Sequence, residues 1–333
     1  MPDLPYLNTL AASPGHAGKA SENILAGRYQ MMGLLGKGGM GEVWEARHLL
    51  LDRVVALKLL NSQVNAVGER MITEARALAR VRHPSVVEVY DCGTLDNGTH
   101  YIAMERLVGE TLARAVRREP LAVAAAVQLF VPIFDGLAAA HRVGVIHRDL
   151  KPENIFLVDH SSAGKVPKIL DFGIARIEEV DGRTTLAGTI IGTPAYMSPE
   201  QLRGERCAVA SDLWSATVAL YEVITGQPPF LSAPLHVVKQ RVLEAPLPYP
   251  RKVAGLDGRL WSFLARGLRK LPDQRFASAE AMRDELIAWL AKAPPVSLAR
   301  AAAMSPYDEL ARSRGPDPPA NMDAVVREKL RFE

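Results

Sequence analysis

Between residues 147 and 154 the chain reads His147-Arg148-Asp149-Leu150-Lys151-Pro152-Glu153-Asn154, and Asp171-Phe172-Gly173 follows. That span holds a carboxylate in Asp149, an ammonium in Lys151, an amide in Asn154 and a second carboxylate in Asp171. So many ordered matches constrain the chain more than its composition does. The set meets the needs of phosphoryl transfer from a metal-bound nucleotide. An attacking hydroxyl needs a proton acceptor, the phosphate oxygens need a cation, and hard Mg²⁺ needs oxygen ligands.

Partners for that set occur in order along the chain. Gly36-Lys37-Gly38-Gly39-Met40-Gly41-Glu42-Val43 is a glycine-rich stretch between two apolar runs that read as strands. Glycines let a backbone approach phosphates closely and offer them its N–H groups. Alone the spacing is weak, because dinucleotide-binding folds carry the same letters. There a helix follows at once, whereas Glu42-Val43-Trp44-Glu45-Ala46 reads as strand. Val54-Val55-Ala56-Leu57-Lys58 reads as a further strand ending on a lysine, which in isolation is as readily a surface residue as a phosphate ligand. Glu69 to Arg80 has a helical pattern, with apolar Met71, Ala75 and Leu78. Glu69 sits at the helix start, where the helix dipole alone favours an acid. Glu74 is the other acid of that helix.

Together these motifs resemble the eukaryotic-type (Hanks-type) serine/threonine protein kinases. The bacterial branch is matched through Tyr196-Met197-Ser198-Pro199-Glu200-Gln201 and Thr225-Gly226-Gln227-Pro228-Pro229-Phe230. The resemblance implies an α+β, bilobal protein-kinase fold. A small β-rich N-lobe with one regulatory helix would span 28–104, a hinge 105–108, and a larger α-helical C-lobe 109–292. Residues 1–27 read as a disordered leader. Residues 293–333 read as a tail, in which Met322, Val326 and Leu330 suggest a short amphipathic helix.

By the same resemblance the cofactors are ATP and two Mg²⁺ ions, replaceable by Mn²⁺. Asp149 would orient the substrate hydroxyl and accept its proton, Lys151 would neutralise the moving phosphoryl group, and Asn154 and Asp171 would hold metal. An aspartate is a weak base, so alignment and electrostatics should carry most of the catalysis. Lys58 would bind phosphate and pair with Glu74. The nucleotide pocket would comprise Leu35, Gly36, Gly38, Gly41, Val43, Ala56, Lys58, Met104 as gatekeeper, Glu105, Leu107 and Phe156. Within it, the Glu105 carbonyl and the Leu107 N–H would hold the adenine edge. Aliphatic stripes of this kind are as readily plain core. Structural roles are expected for His147 packing on Phe172, for Asp212 anchoring the catalytic loop, and for an Arg275–Glu200 pair.

Gly192-Thr193-Pro194-Ala195-Tyr196-Met197-Ser198-Pro199-Glu200 resembles the docking loop of serine/threonine kinases. Thr193 would hydrogen-bond Asp149 and Lys151. Ser198 stands where the family most often has alanine, a departure read as of little consequence. Arg148 places a guanidinium where an activation-segment phosphate could dock bidentately. Thr184, Thr185 and Thr189 are the candidate phosphosites, reached by self-association and autophosphorylation in trans; Ala187 stands at a second position that relatives often phosphorylate.

At 333 residues and 48% hydrophobic, the chain can bury the cores of two lobes without metals or disulfides. Cys92 and Cys207 lie far apart, which suits a reducing compartment and a cytoplasmic location. A net charge of +3 without a basic run argues against nucleic-acid partners. The apolar stretch Leu121 to Phe134 falls short of the ~20 residues needed to span a bilayer, so no membrane is expected. Protein substrates are then the expected partners. Three other readings stay open. A pseudokinase scaffold has Lys58, Glu74, Asp149, Lys151, Asn154 and Asp171 against it. A small-molecule kinase would lack the docking loop and the Arg275 partner, and a binding module would act through the tail.

Overall fold

In a computed structural model, residues 24–38, 41–60, 65–160, 164–172, 194–231, 234–250 and 253–292 are described, the side chains of 65–71 and 235 apart. Strands come first. β1 (Ile24–Leu25), β2 (Tyr29–Gly38), β3 (Gly41–His48), β4 (Arg53–Leu60), β5 (Val89–Thr94) and β6 (His100–Glu105) form one antiparallel sheet in the order β1-β2-β3-β4-β6-β5. Side chains alternate across it, as pleating demands. Tyr29, Ala46, Val55, Leu57, Tyr101 and Ala103 cluster on one face. Leu60 and Ile102 turn to the other face, where they join Ala75 and Leu78 of α1 (Asn65–Leu78). Gly41 has a φ of 141°, and a Cβ there would lie 1.9 Å from the Leu59 carbonyl oxygen. The β3–β4 approach therefore requires glycine at this position, whatever phosphates also require.

The remaining described residues are mainly helical, so the expected α+β arrangement of a small β-rich part and a larger helical part is the one adopted. Its helices are α2 (Leu112–Arg118), α3 (Val123–Arg142), α4 (Pro199–Leu202), α5 (Val209–Thr225), α6 (Leu235–Glu244), α7 (Gly258–Gly267) and α8 (Ala279–Leu290). On α3, Phe130, Ile133, Phe134 and Leu137 are fully buried, each contributing about 1.5–3 kcal/mol of apolar burial. The apolar stretch expected to stop at Phe134 continues as helix through Pro132 to Arg142. By length and composition alone this 20-residue helix could cross a membrane; 72% of its most apolar window is buried inside the fold, as in a core helix.

One part of the helical half is not helical. β7 (Gly109–Thr111), β8 (Ile155–His160) and β9 (Gly164–Ile169) form a three-stranded sheet in that order. The β8–β9 pairing sets Ile155 opposite Ile169, and just beyond it the Leu170 N–H donates to the Asn154 carbonyl at 2.8 Å. This hairpin closes the sequence gap between the two motifs and delivers Asp171 beside Asn154.

Candidate active site

The loop carrying Asp149 is assembled on one buried carboxylate. Asp212, from the first turn of α5, is 0% exposed. It accepts from the His147 N–H at 2.7 Å and the Arg148 N–H at 2.8 Å, with His141 Nε2 also at 2.8 Å. Burial pushes its carboxyl up, yet the hydrogen bonds from His141 and from the His147 N–H hold it below the usual carboxylate range. Those bonds support a costly backbone: Arg148 has φ 64°, a left-handed conformation that costs an L-residue about 1–2 kcal/mol. His147 is buried, and burial pushes its imidazole down toward the neutral form. Nε2–H then donates to the Leu170 carbonyl at 2.8 Å, and the ring packs on Phe172 with centroids 4.7 Å apart. The structural role expected for His147 holds.

Around Asp149 the reacting groups converge. Lys151 Nζ lies 3.1 Å from Asp149 Oδ2. Asn154 Nδ2 donates to the Asp149 carbonyl at 2.7 Å and to its Oδ2 at 3.3 Å. Because Nδ2 is committed, Oδ1 is the atom that the Asn154 amide offers to a cation. Among the described residues no group of three or more His, Cys, Asp and Glu side chains could hold a metal ion. The expected set is smaller: one carboxylate from Asp171 and one amide oxygen from Asn154. Two hard oxygen donors fit a divalent cation that takes its remaining ligands from phosphate and water.

The charges across the cleft are partnered differently from the expectation. Lys58 Nζ lies 2.6 Å from Asp171 Oδ1, and Glu74 Oε1 lies 2.7 Å from the Arg148 guanidinium. The expected Lys58–Glu74 pair is not formed. The reason is that Lys58, Arg148, Glu74 and Asp171 can be paired in more than one way. Here the guanidinium takes the α1 carboxylate and the ammonium takes Asp171. Burial would raise the Asp171 carboxyl, but the charge and hydrogen bond of Lys58 hold it below the usual range. At Glu74 burial prevails over Arg148 and pushes the carboxyl up.

Strand register places the residues expected to face a nucleotide. Val43 pairs with Lys58, Lys58 with Ile102, and Ala56 with Met104. Cross-strand partners share a face, as do residues two apart. Val43, Ala56, Lys58 and Met104 are therefore set on one face of the sheet. Leu35, Gly36 and Gly38 lie on β2, and Glu105 and Leu107 where β6 leaves the sheet. The Glu105 carboxylate is tied to Lys168 at 2.6 Å and to the Glu88 N–H at 2.8 Å. Phe156, on β8, is buried at 6% exposure. Residues Thr184, Thr185, Thr189 and Thr193 lie outside the described residues.

Beyond them, Glu200 meets Arg275 through two 2.8 Å hydrogen bonds, with side chains only 5% and 0% exposed. Ser198, the departure read as inconsequential, has a specific job. Its hydroxyl caps α4, while Gln201 Oε1 accepts the Ser198 N–H at 2.9 Å. Gln201 Nε2 in turn donates to the Arg148 carbonyl at 2.8 Å. Sequence reasoning missed Gln201. Its signal was present, since Ser198-Pro199-Glu200-Gln201 has the S-x-x-Q spacing of a capping box.

The family model for the protein kinase domain matches residues 29–287. The chain belongs to the protein kinase family. Among similar curated proteins, "Serine/threonine-protein kinase pkn3" of Myxococcus xanthus is 41% identical over 273 residues, covering 79% of this chain and 50% of that protein. "Serine/threonine-protein kinase PknB" of Mycolicibacterium smegmatis is 39% identical over 272 residues, covering 79% of this chain and 43% of that protein. The chain thus spans about half or less of the length of these relatives. Kinase membership implies ATP and a divalent cation, and it makes Asp149 and Asp171 the groups to test first.

Proposed function

We propose that this protein kinase transfers the γ-phosphoryl group of Mg-ATP to serine and threonine hydroxyls of protein substrates, and that it switches itself on by autophosphorylation. The convergence of Asp149, Lys151 and Asn154 on one Asp212-anchored loop, with Asp171 delivered beside them, is the observation that carries the reading. Asp149 orients the hydroxyl and takes its proton. Lys151 screens charge at the transferring group, and Lys58 binds phosphate. Two Mg²⁺ ions, which Mn²⁺ can replace, would be held by Asn154 and Asp171 and would supply charge neutralisation at the phosphate oxygens. The buried Glu200–Arg275 pair favours a protein over a small-molecule substrate. Serine/threonine specificity is carried over from the names of the relatives and the Gly192-Thr193-Pro194 context. A cytoplasmic location, with neither nucleic-acid nor membrane partners, belongs to the same proposal.

The observed pairing gives self-activation a physical route. Lys58 occupies Asp171 Oδ1 and Arg148 occupies Glu74 Oε1, so pairing Lys58 with Glu74 would leave Asp171 freer to serve a cation. A phosphothreonine at Thr184, Thr185 or Thr189, made by a second copy of the chain, would compete for Arg148 with nearly two negative charges against the one of Glu74. Mass spectrometry of recombinant wild-type protein beside the Asp149→Asn form tests this. Phosphate within 184–189 of the wild type only is expected. Fully active protein unmodified there would overturn self-activation.

A further inference from the structure

The peptide joining Arg148 to Asp149 is gripped from several sides. Arg148 sits at φ 64°, so its backbone is held against its own preference. The Arg148 N–H is fixed by Asp212 at 2.8 Å, the Asp149 N–H turns back to the His147 carbonyl at 2.9 Å, and the Arg148 carbonyl receives Gln201 Nε2 at 2.8 Å. The bonds from Asp212 and His147 belong to the loop and to α5, whereas the bond from Gln201 arrives from the segment that follows the docking loop. The orientation of the Gln201 amide is set by its partners. The Ser198 N–H can only donate and the Arg148 carbonyl can only accept, so Oε1 must face the first and Nε2 the second.

We infer that Gln201 is a positioning residue for Asp149. Through the carbonyl of Arg148 it fixes the plane of the 148–149 peptide, and so the direction in which the Asp149 carboxylate leaves the backbone. The single amide performs two separable tasks, capping α4 with its oxygen and holding the catalytic loop with its nitrogen. It ties the Ser198–Leu202 turn to the residue that meets the hydroxyl. A displacement of about 1 Å at such a residue can cost about 100-fold in rate, while ground-state nucleotide binding, made elsewhere, should not change.

The inference rests on the kinase reading of Asp149, and two variants separate the tasks. Gln201→Glu keeps an acceptor for the Ser198 N–H, preserving the cap, but has no N–H for the Arg148 carbonyl. Gln201→Met is close in size and loses both bonds. The measurements are the melting temperature, kcat and the KM for ATP, using the full chain, Mg-ATP and a generic protein substrate. We expect the Glu form, which keeps the cap but sets an oxygen against the Arg148 carbonyl, to melt about 1–2 °C below the wild type and the Met form about 2–4 °C below it. Both should lose kcat by about tenfold or more, with the KM for ATP within about twofold of wild type. Should kcat instead follow the melting temperature, with the Glu form fully active, Gln201 is only a capping residue and the inference fails. A wild type that transfers no phosphate would overturn the kinase reading itself, and the inference with it.

Discussion

Glu74 of α1 rests on Arg148, its Oε1 2.7 Å from the guanidinium, while Lys58 holds Asp171 at 2.6 Å. Four charged side chains thus make two ion pairs, and one exchange of partners would give the arrangement that the sequence leads one to expect. Pairing Lys58 with Glu74 would release Asp171 and Arg148 together. On the proposed self-activation, a phosphate docked on Arg148 would favour that exchange.

Removing the partner of Glu74 should tip it without phosphate. In unphosphorylated protein, Arg148→Gln frees Glu74 to compete for Lys58, and Asp171 is released toward a cation. Calorimetric titration with a non-hydrolysable ATP analogue and Mg²⁺ should show about threefold to tenfold tighter binding than wild type, roughly 1 kcal/mol. Binding weaker than wild type would contradict the exchange.

The Glu200–Arg275 pair makes a stability prediction. Both side chains are buried, and Arg275 also donates to the carbonyls of Arg269, Lys270 and Ala210. Burial would raise the Glu200 carboxyl, but Arg275 holds it below the usual range. Arg275→Ala leaves an uncompensated buried carboxylate and should destabilise the fold by about 3–5 kcal/mol, read from urea unfolding. A loss below about 1 kcal/mol, typical of an exposed pair, would show that the pair is less buried than described.

A pH signature comes from Glu222, which accepts from the Tyr196 hydroxyl at 2.5 Å. Burial pushes its carboxyl from 4.5 up to about 7, with the charge of Glu153 adding to the rise. A carboxyl raised in the folded state holds a proton that the unfolded chain has already lost. Its contribution is therefore complete below pH 4.5 and disappears as pH rises through about 7. Comparing unfolding free energies of wild type and Glu222→Gln across this window should show the wild type losing stability relative to the variant as pH rises. Parallel curves would place Glu222 in a more solvated setting.

Much of this was legible in the sequence because it is local. The short apolar run Val54-Val55-Ala56-Leu57 ending on Lys58 read as a strand, and its register with Val43 and Met104 follows once the strands pair. The buried roles of His147, Asp212 and Arg275 were legible through family resemblance, since each is fixed by a partner far along the chain. The three-stranded sheet within the helical half was not anticipated, because strands β7, β8 and β9 of three to six residues carry too short a period to stand out. The partners of Lys58 and Glu74 were not legible for a different reason. Charge complementarity says that cations meet anions, but with several of each in reach it does not say which. Gln201 was passed over because its work lies in a bond to a backbone carbonyl, which leaves no mark on the sequence beyond the capping-box spacing.

The central claim is that Asp149 directs a protein hydroxyl at the γ-phosphate. Transfer of ³²P from labelled ATP to a generic protein substrate, followed by phosphoamino-acid analysis, tests it most directly with wild type and Asp149→Asn compared at equal folded concentration. We predict label on serine and threonine with the wild type, and a loss of at least about 1,000-fold in the variant, corresponding to about 4 kcal/mol of barrier. Near wild-type transfer by Asp149→Asn, or no transfer by the wild type with Mg²⁺ present, would contradict the account.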